Sequence, residues 1–302
     1  LGHVTTYDRY DSSGRLTRMT DPNGLVTTFT YTARGWLKTR AIGTETDAFD
    51  YDQVGQLIRH TRPDGIFVRY EYDASHRLTD IVLMDDSRLH YTLDGLGNRK
   101  KEDILDADGS TVYYTHRREF DALGRLWKDI GAYNQTVTHG YDAQGNLTTS
   151  DGARADVTDL TSHDYDALDR LTQTLAADNG VTSYRYNTRD EVTQVTDPAN
   201  QITSHTPDGF GGVKQTASAD TGITTRTFDE AGNLKTETDA RGVTVTTTWD
   251  ALNRLSKKQS SDAATPVYTY FYDTCGLGRL CLVQPAQHLY FNYDLHGRRT
   301  FQ

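Results

Sequence analysis

The residues best able to do chemistry in this sequence are its carboxylates, its histidines and its two cysteines. Carboxylates are densest at Asp85-Asp86 and across Glu102, Asp103, Asp106 and Asp108. The second group offers the hard oxygen ligands that calcium takes, yet it lacks the regular odd-position spacing and closing glutamate of a dedicated loop, so a solvated turn is expected there. The ten histidines, among them His60, His90, His139, His163 and His205, form no His-x-x-x-His or His-x-His pair. His139 and His163 each stand two residues before a recurring aromatic, which predicts a structural place beside it. Cys275 and Cys281 flank Gly276-Leu277-Gly278. That short spacing permits a disulfide, and two reduced thiols in a small strand pair are the plainer alternative. Two sulfurs without paired histidines nearby do not make a zinc site. No Gly-x-Ser-x-Gly elbow, phosphate loop or dinucleotide fingerprint is present, so no catalytic or cofactor residue is assigned.

What does recur is an aspartate in a fixed setting. It follows an anchor residue, usually aromatic, at Tyr10, Tyr31, Tyr51, Tyr72, Leu93, Phe120, Tyr141, Tyr165, Tyr186, Pro207, Phe228, Trp249, Tyr272 and Tyr293, mostly 21 residues apart. The next residue is Asp in every copy but two, where Thr32 and Asn187 replace it; Asp11, Asp52, Asp73, Asp121, Asp142, Asp166, Asp229, Asp250 and Asp294 are examples. Asp suits the first position of a type I turn because its carboxylate accepts hydrogen bonds from the amides just ahead. Three residues further on stands glycine, as at Gly14, Gly55, Gly124, Gly145, Gly232 and Gly297, or else His76, Asp169, Asp190 or Asn253. These replacements are the residue types most tolerant of positive φ. The position therefore supplies backbone geometry, and the motif is a turn before it is a site.

The elements that would hold such turns are strands. Side chains alternate in character before the anchors, as in Val68, Tyr70, Tyr72 and in Tyr268, Tyr270, Tyr272, which is the two-residue period of a β-strand. Leucine recurs six residues beyond the anchor, at Leu16, Leu37, Leu57, Leu78, Leu126, Leu147, Leu171, Leu234 and Leu255, so a five-residue loop would set anchor and leucine opposite one another. A second turn signal falls between anchors, as in Asp21-Pro22-Asn23-Gly24, Pro63-Asp64-Gly65 and Asn179-Gly180. Two turns per repeat predict two strands of about six to eight residues each. The longer intervals at 94–120 and 142–165 are expected to enlarge the inter-strand turns, as at Lys101 to Gly109. No window shows helical periodicity with caps. The fold class is all-β, built of tandem hairpins, and residues 1–302 are expected to form one elongated unit.

Composition agrees with exposed sheet. The chain is 35% hydrophobic with a mean hydropathy of −0.69, and its net charge of −10 is spread through the turn aspartates without a dense Lys/Arg block. That argues against nucleic acid and against an anionic membrane surface as partners. No apolar run is long enough to span a bilayer. The first residue is Leu, so the sequence is expected to be an excerpt from a longer product.

A tandem unit with the core Tyr-Asp-x-x-Gly-Arg-Leu, seen in Tyr10 to Leu16 and in Phe120 to Leu126, resembles the YD repeat of the Rhs family, which includes the shell proteins of Tc toxins and animal teneurins. The resemblance covers essentially the whole chain. It implies a long antiparallel ribbon that spirals into a hollow shell, enclosing a C-terminal toxin in secreted bacterial members. The implied partners are the remainder of the shell and the enclosed toxin or effector, with secretion machinery and surface glycans as further candidates; the implied location is secreted or cell-surface. Bacterial members commonly self-cleave at Asp-Pro-x-Gly-Leu. Asp21-Pro22-Asn23-Gly24-Leu25 has those letters, but its place between two anchors makes it an ordinary turn. The expected function is a non-catalytic wall, with cargo and activity outside this segment. The alternative is an adhesive or carbohydrate-binding ribbon, since exposed tyrosine rows can stack on sugar rings.

Overall fold

The computed structural model describes residues 3–154, 159–284, 289–294 and 296–300. Its ordered elements are all strands, and none of its helices, there being none among the described residues, could cross a membrane. The chain divides into two units, residues 1–137 with 293–302 and residues 138–292. Within each, consecutive strands pair antiparallel with their sequence neighbours, from Thr6–Tyr10 paired with Leu16–Thr20 in the first to Leu280–Gln284 paired with Leu289–Tyr290 in the second.

One repeat shows how the sequence period becomes a hairpin period. The strand Glu45–Tyr51 ends on its anchor, and Leu57–Thr61 returns after the loop 52–56. The loop 62–66 then leads into Phe67–Tyr72, which ends on the next anchor. Two five-residue loops, a five-residue strand and a six-residue strand account for the 21. Strands are accordingly mostly five or six residues long, shorter than the six to eight expected, because the second turn takes as many residues as the first. Anchor and leucine stand opposite one another, as in Tyr10↔Leu16, Tyr31↔Leu37, Tyr51↔Leu57, Tyr72↔Leu78, Phe120↔Leu126, Tyr141↔Leu147, Tyr165↔Leu171, Phe228↔Leu234 and Trp249↔Leu255. The register shifts by one residue just before each of these anchors, a bulge that bends the strand entering the turn.

The long interval at 94–120 corrects one expectation. Its extra residues lengthen the strands Arg99–Leu105 and Val112–Phe120, and the loop between them is only 106–111. Lys101 to Leu105 look turn-like in composition, but each is paired on both sides, as in Asp103↔His90 and Asp103↔Thr115. A strand hydrogen-bonded along both edges tolerates charge wherever its side chains find partners. The interval at 142–165 does enlarge the connection after Asp151, where residues 155–158 lie outside the described ones.

The apolar interior is thin. Among the described residues only Val82, Tyr91, Cys281 and Val283 are buried hydrophobics, so hydrogen bonding and side-chain clamps must do much of what a core does elsewhere.

Candidate functional site: the anchor turn

The recurring aspartate caps its own loop. In the loop after Tyr51, one carboxylate oxygen of Asp52 accepts from the amides of Val54 (2.9 Å), Gly55 (2.8 Å) and Gln56 (2.9 Å). The Asp52 amide meets the Gln56 carbonyl at 3.0 Å, and in equivalent copies the fourth-residue amide also closes onto the first carbonyl, as at Gly14 and Gly124 (both 3.0 Å). The same carboxylate-to-amide pairs recur at Asp11, Asp73, Asp121, Asp142, Asp166, Asp229, Asp250 and Asp294. The fourth loop residue is left-handed. Gly55 has φ 100°, and its non-glycine counterparts His76, Asp169, Asp190 and Asn253 have φ 64°, 59°, 63° and 57°. Gly55 has a second constraint, because a Cβ there would lie 2.7 Å from the Trp36 ring.

These carboxyls are held below the ordinary range. At Asp73 and Asp121 the amide of the arginine four residues on is the first cause, with its guanidinium adding to it. At Asp52 partial burial pushes the other way, and the three loop amides outweigh it.

The fifth loop residue carries the feature that links one hairpin to the next. In six copies it is arginine, and Nε of Arg15, Arg77, Arg125, Arg170, Arg254 and Arg298 donates to its own turn aspartate at 2.6 to 2.8 Å. Asn98, Asn146 and Asn233 make the same bond in three others. The arginine then reaches forward. Arg77 donates to the Asp94 carbonyl (2.8 Å), Arg170 to Asp190 (2.8 Å), and Arg254 to both oxygens of Asp273 (3.0 and 2.8 Å). Its guanidinium also lies over the following anchor ring, 4.8 Å from Tyr31 for Arg15, 4.8 Å from Tyr186 for Arg170 and 4.3 Å from Tyr272 for Arg254.

The anchor answers in the other direction. The hydroxyls of Tyr31, Tyr72, Tyr165, Tyr186 and Tyr272 donate to the carbonyls of Leu16, Leu57, Leu147, Leu171 and Leu255 in the preceding hairpin, at 2.7 to 3.0 Å. Trp249 does so with its indole N–H, 2.8 Å from the Leu234 carbonyl. Burial pushes the Tyr51, Tyr72, Tyr165 and Tyr272 phenols up. Tyr51 instead packs beside Trp36, ring centres 5.5 Å apart, and Tyr10 in the first strand is 57% exposed. Tyr141 and Tyr293 are half-buried, and Phe120 and Phe228 contribute apolar surface without a polar tip.

The arginine was present in the sequence motif but had no evident role there. Its recurrence at the last loop position, always after the left-handed residue, was the available signal. The other sequence candidates scatter. Glu102 pairs with Arg118 (2.6 Å), while Asp103 is buried in its strand between Thr115 (2.6 Å) and Lys101 (2.8 Å), so these two belong to a strand and only Asp106 and Asp108 lie in the expected turn. Asp106 does cap a loop, and hydrogen bonds led by Thr111 lower its carboxyl to about 2. His60 stacks on Phe49 and meets Asp47 (2.9 Å), His90 meets Asp80 (2.8 Å), and His163 meets Thr174 (3.2 Å). Asp21 to Leu25 form an ordinary loop, the Asp21 amide bonded to the Leu25 carbonyl at 3.0 Å. Cys275 and Cys281 are joined by a disulfide, Cα atoms 5.5 Å apart, across the loop 273–279, which is two residues longer than its counterparts. Among the described residues no group of three or more His, Cys, Asp or Glu is placed to hold a metal ion.

Hairpins stapled to their neighbours by a carboxylate, a guanidinium and a phenol define a tandem β-hairpin repeat protein. The family model described as RHS Repeat matches residues 10–48, 51–83, 165–210 and 228–265, just over half of the sequence. The chain belongs to the RHS repeat family. No curated protein matches it in sequence. In fold it is similar to a chain in the Photorhabdus luminescens Tc holotoxin pore, solved with a TccC3 variant, with a TM-score of 0.73 and 15% identity over 98% of this chain and 20% of that one. It is similar also to TcdB2-TccC3 without the hypervariable C-terminal region (TM-score 0.60, 15% identity, 96% and 21% of the two chains). A third is TcdB2-TccC3-Cdc42 (0.58, 14%, 96% and 23%). The chain spans about a fifth of the length of these structures.

Proposed function

We propose that residues 1–302 are one segment of the wall of a hollow β-shell, which encloses and carries a toxin or effector region in a secreted or surface-exposed protein. The wall itself does no catalysis; its partners are the rest of the shell and the polypeptide inside it. The observation that carries this reading is the staple between neighbouring hairpins. A junction that each hairpin repeats toward the next can extend a ribbon without limit, and the intrinsic twist of a sheet makes a long ribbon curl. Each hairpin also covers the strand edge of its neighbour, which would otherwise invite aggregation. The Tc toxin assemblies among the structural neighbours favour an enclosed cargo over a purely adhesive role.

Small-angle scattering coupled to size exclusion on the complete protein tests the reading. The expected result is a particle with a low-density centre, and a compact particle of uniform density would contradict it.

A further inference from the structure

One contact within the first unit joins side chains 253 residues apart. The anchor turn 294–298 meets the turn between the strands Leu37–Ile42 and Glu45–Tyr51. The two carboxylate oxygens of Glu45 accept from the Arg298 guanidinium at 2.9 and 3.3 Å, and His296 Nε2 lies 3.5 Å from Glu45 Oε1. The receiving turn is only residues 43–44, three residues shorter than the five-residue loops, and a Cβ on Gly43 would stand 3.5 Å from the His296 ring. The short turn leaves a recess that the third residue of an anchor turn enters, and the His296 side chain is only 17% exposed there.

Other anchor turns carry their third residue in the same way. The His296 amide donates to its own turn aspartate, Asp294, at 2.9 Å. The amides of Val54, Leu96, Leu123, Leu168, Phe210 and Leu252 do likewise, at 2.7 to 2.9 Å. The cap fixes the loop backbone, so these side chains are presented as His296 is, but they are apolar and uncovered. Val54, Leu96 and Leu123 in the first unit and Leu168 and Phe210 in the second are 62 to 97% exposed. A lone exposed leucine is ordinary, whereas apolar side chains at one loop position in hairpin after hairpin mark a contact surface. The turns between anchors offer a matching chemistry, since Ile66, Met84 and Tyr133 are exposed on them.

We propose that the third residues of the anchor turns form a docking row, covered by the between-anchor turns of repeats that precede residue 1 in the same polypeptide. The occupant follows from the contact already made. Glu45 lies 253 residues before Arg298, and at the same offset the partners of Val54 to Leu252 all fall ahead of this segment. These six side chains therefore stand uncovered, while His296 finds its recess within the segment. A partner that meets the same loop position in successive hairpins is itself a row of hairpins; an enclosed chain of irregular sequence has no such register. The inference rests on the shell reading for those further repeats.

Photo-cross-linking in the complete protein tests it. Benzoylphenylalanine, a photoreactive amino acid, is placed at Phe210 and, in a second variant, at Leu123. Irradiation is expected to give cross-links within one polypeptide, most of them mapping by mass spectrometry to between-anchor turns of repeats ahead of residue 1. Cross-links that map mainly to an enclosed non-repeat region, that join two copies of the protein, or that form at neither position would overturn the proposal. Scattering separates this from the shell reading: a particle of uniform density that still gives the expected cross-links would overturn the shell and leave the docking row standing.

Discussion

The loop 52–56 and the loop 62–66 lie at opposite ends of the same strand, and their backbones are nearly interchangeable. In each, the first amide meets the fifth carbonyl, at 3.0 and 2.8 Å, and the fourth residue is left-handed, Gly55 at φ 100° and Gly65 at φ 84°. Their side chains differ. On the anchor row an aspartate caps the loop almost every time, and an arginine or asparagine ties that aspartate down. On the opposite row the first loop residue is Asp at 21, 106, 197 and 239 but Arg62, Leu83, Gly131 and Ala176 in other loops. Arg241 there folds back on its own Asp239 (2.7 Å), whereas Arg254 on the anchor row bridges to Asp273 of the next hairpin. Loop length and one left-handed residue are therefore enough to make a hairpin turn. The conserved-looking signature within the chain serves a different need, the junction between hairpins, and the ribbon meets that need along one edge.

Acid should most strongly separate a loop capped by an aspartate from one capped by an uncharged side chain. The anchor-row carboxyls are lowered in the folded chain relative to an unfolded value of about 3.9, so their stabilisation is fully present above about pH 4. It is lost as the pH falls through the folded values. Hydrogen exchange at about pH 3 is expected to open the Val54 and Gln56 amides, which bond to Asp52, before the Tyr133 amide, whose partner is the uncharged Gln135 side chain. Simultaneous opening would remove the distinction between the two kinds of cap.

A smaller but sharper contrast comes from the two glycines. Gly55→Val combines positive-φ strain with a clash against Trp36 and is expected to cost about 3 kcal/mol or more. Gly65→Val, with nothing within 4 Å of its Cβ, should cost only the backbone strain, about 1–2 kcal/mol. Urea titration of both variants measures the difference, and equal costs would mean that the anchor row is no tighter than its counterpart. Smaller still is Tyr72→Phe, which leaves the ring and removes the bond to the Leu57 carbonyl; about 1 kcal/mol is expected by the same titration.

Much of the hairpin was legible in the sequence, because its determinants are local. Aspartate at the loop start, a left-handed residue at its fourth position and leucine opposite the anchor all lie within seven consecutive residues. The staple was not legible, because its partners are about one repeat apart and one of them is a main-chain carbonyl, which leaves no mark on residue type. Lys101 to Leu105 failed for a related reason: their charge resembles a loop, and the partners that make them a strand, His90 and Thr115 among them, lie in neighbouring strands.

The central claim is that the fifth loop residue joins hairpins. A double-mutant cycle on Arg254→Ala and Asp273→Ala, read by urea denaturation, tests it most directly. The account predicts a favourable coupling on the order of 1 kcal/mol between these side chains of successive hairpins, alongside little coupling for Arg241→Ala with Asp239→Ala, a pair confined to one exposed turn. Coupling at Arg254 and Asp273 no larger than at Arg241 and Asp239 would contradict it.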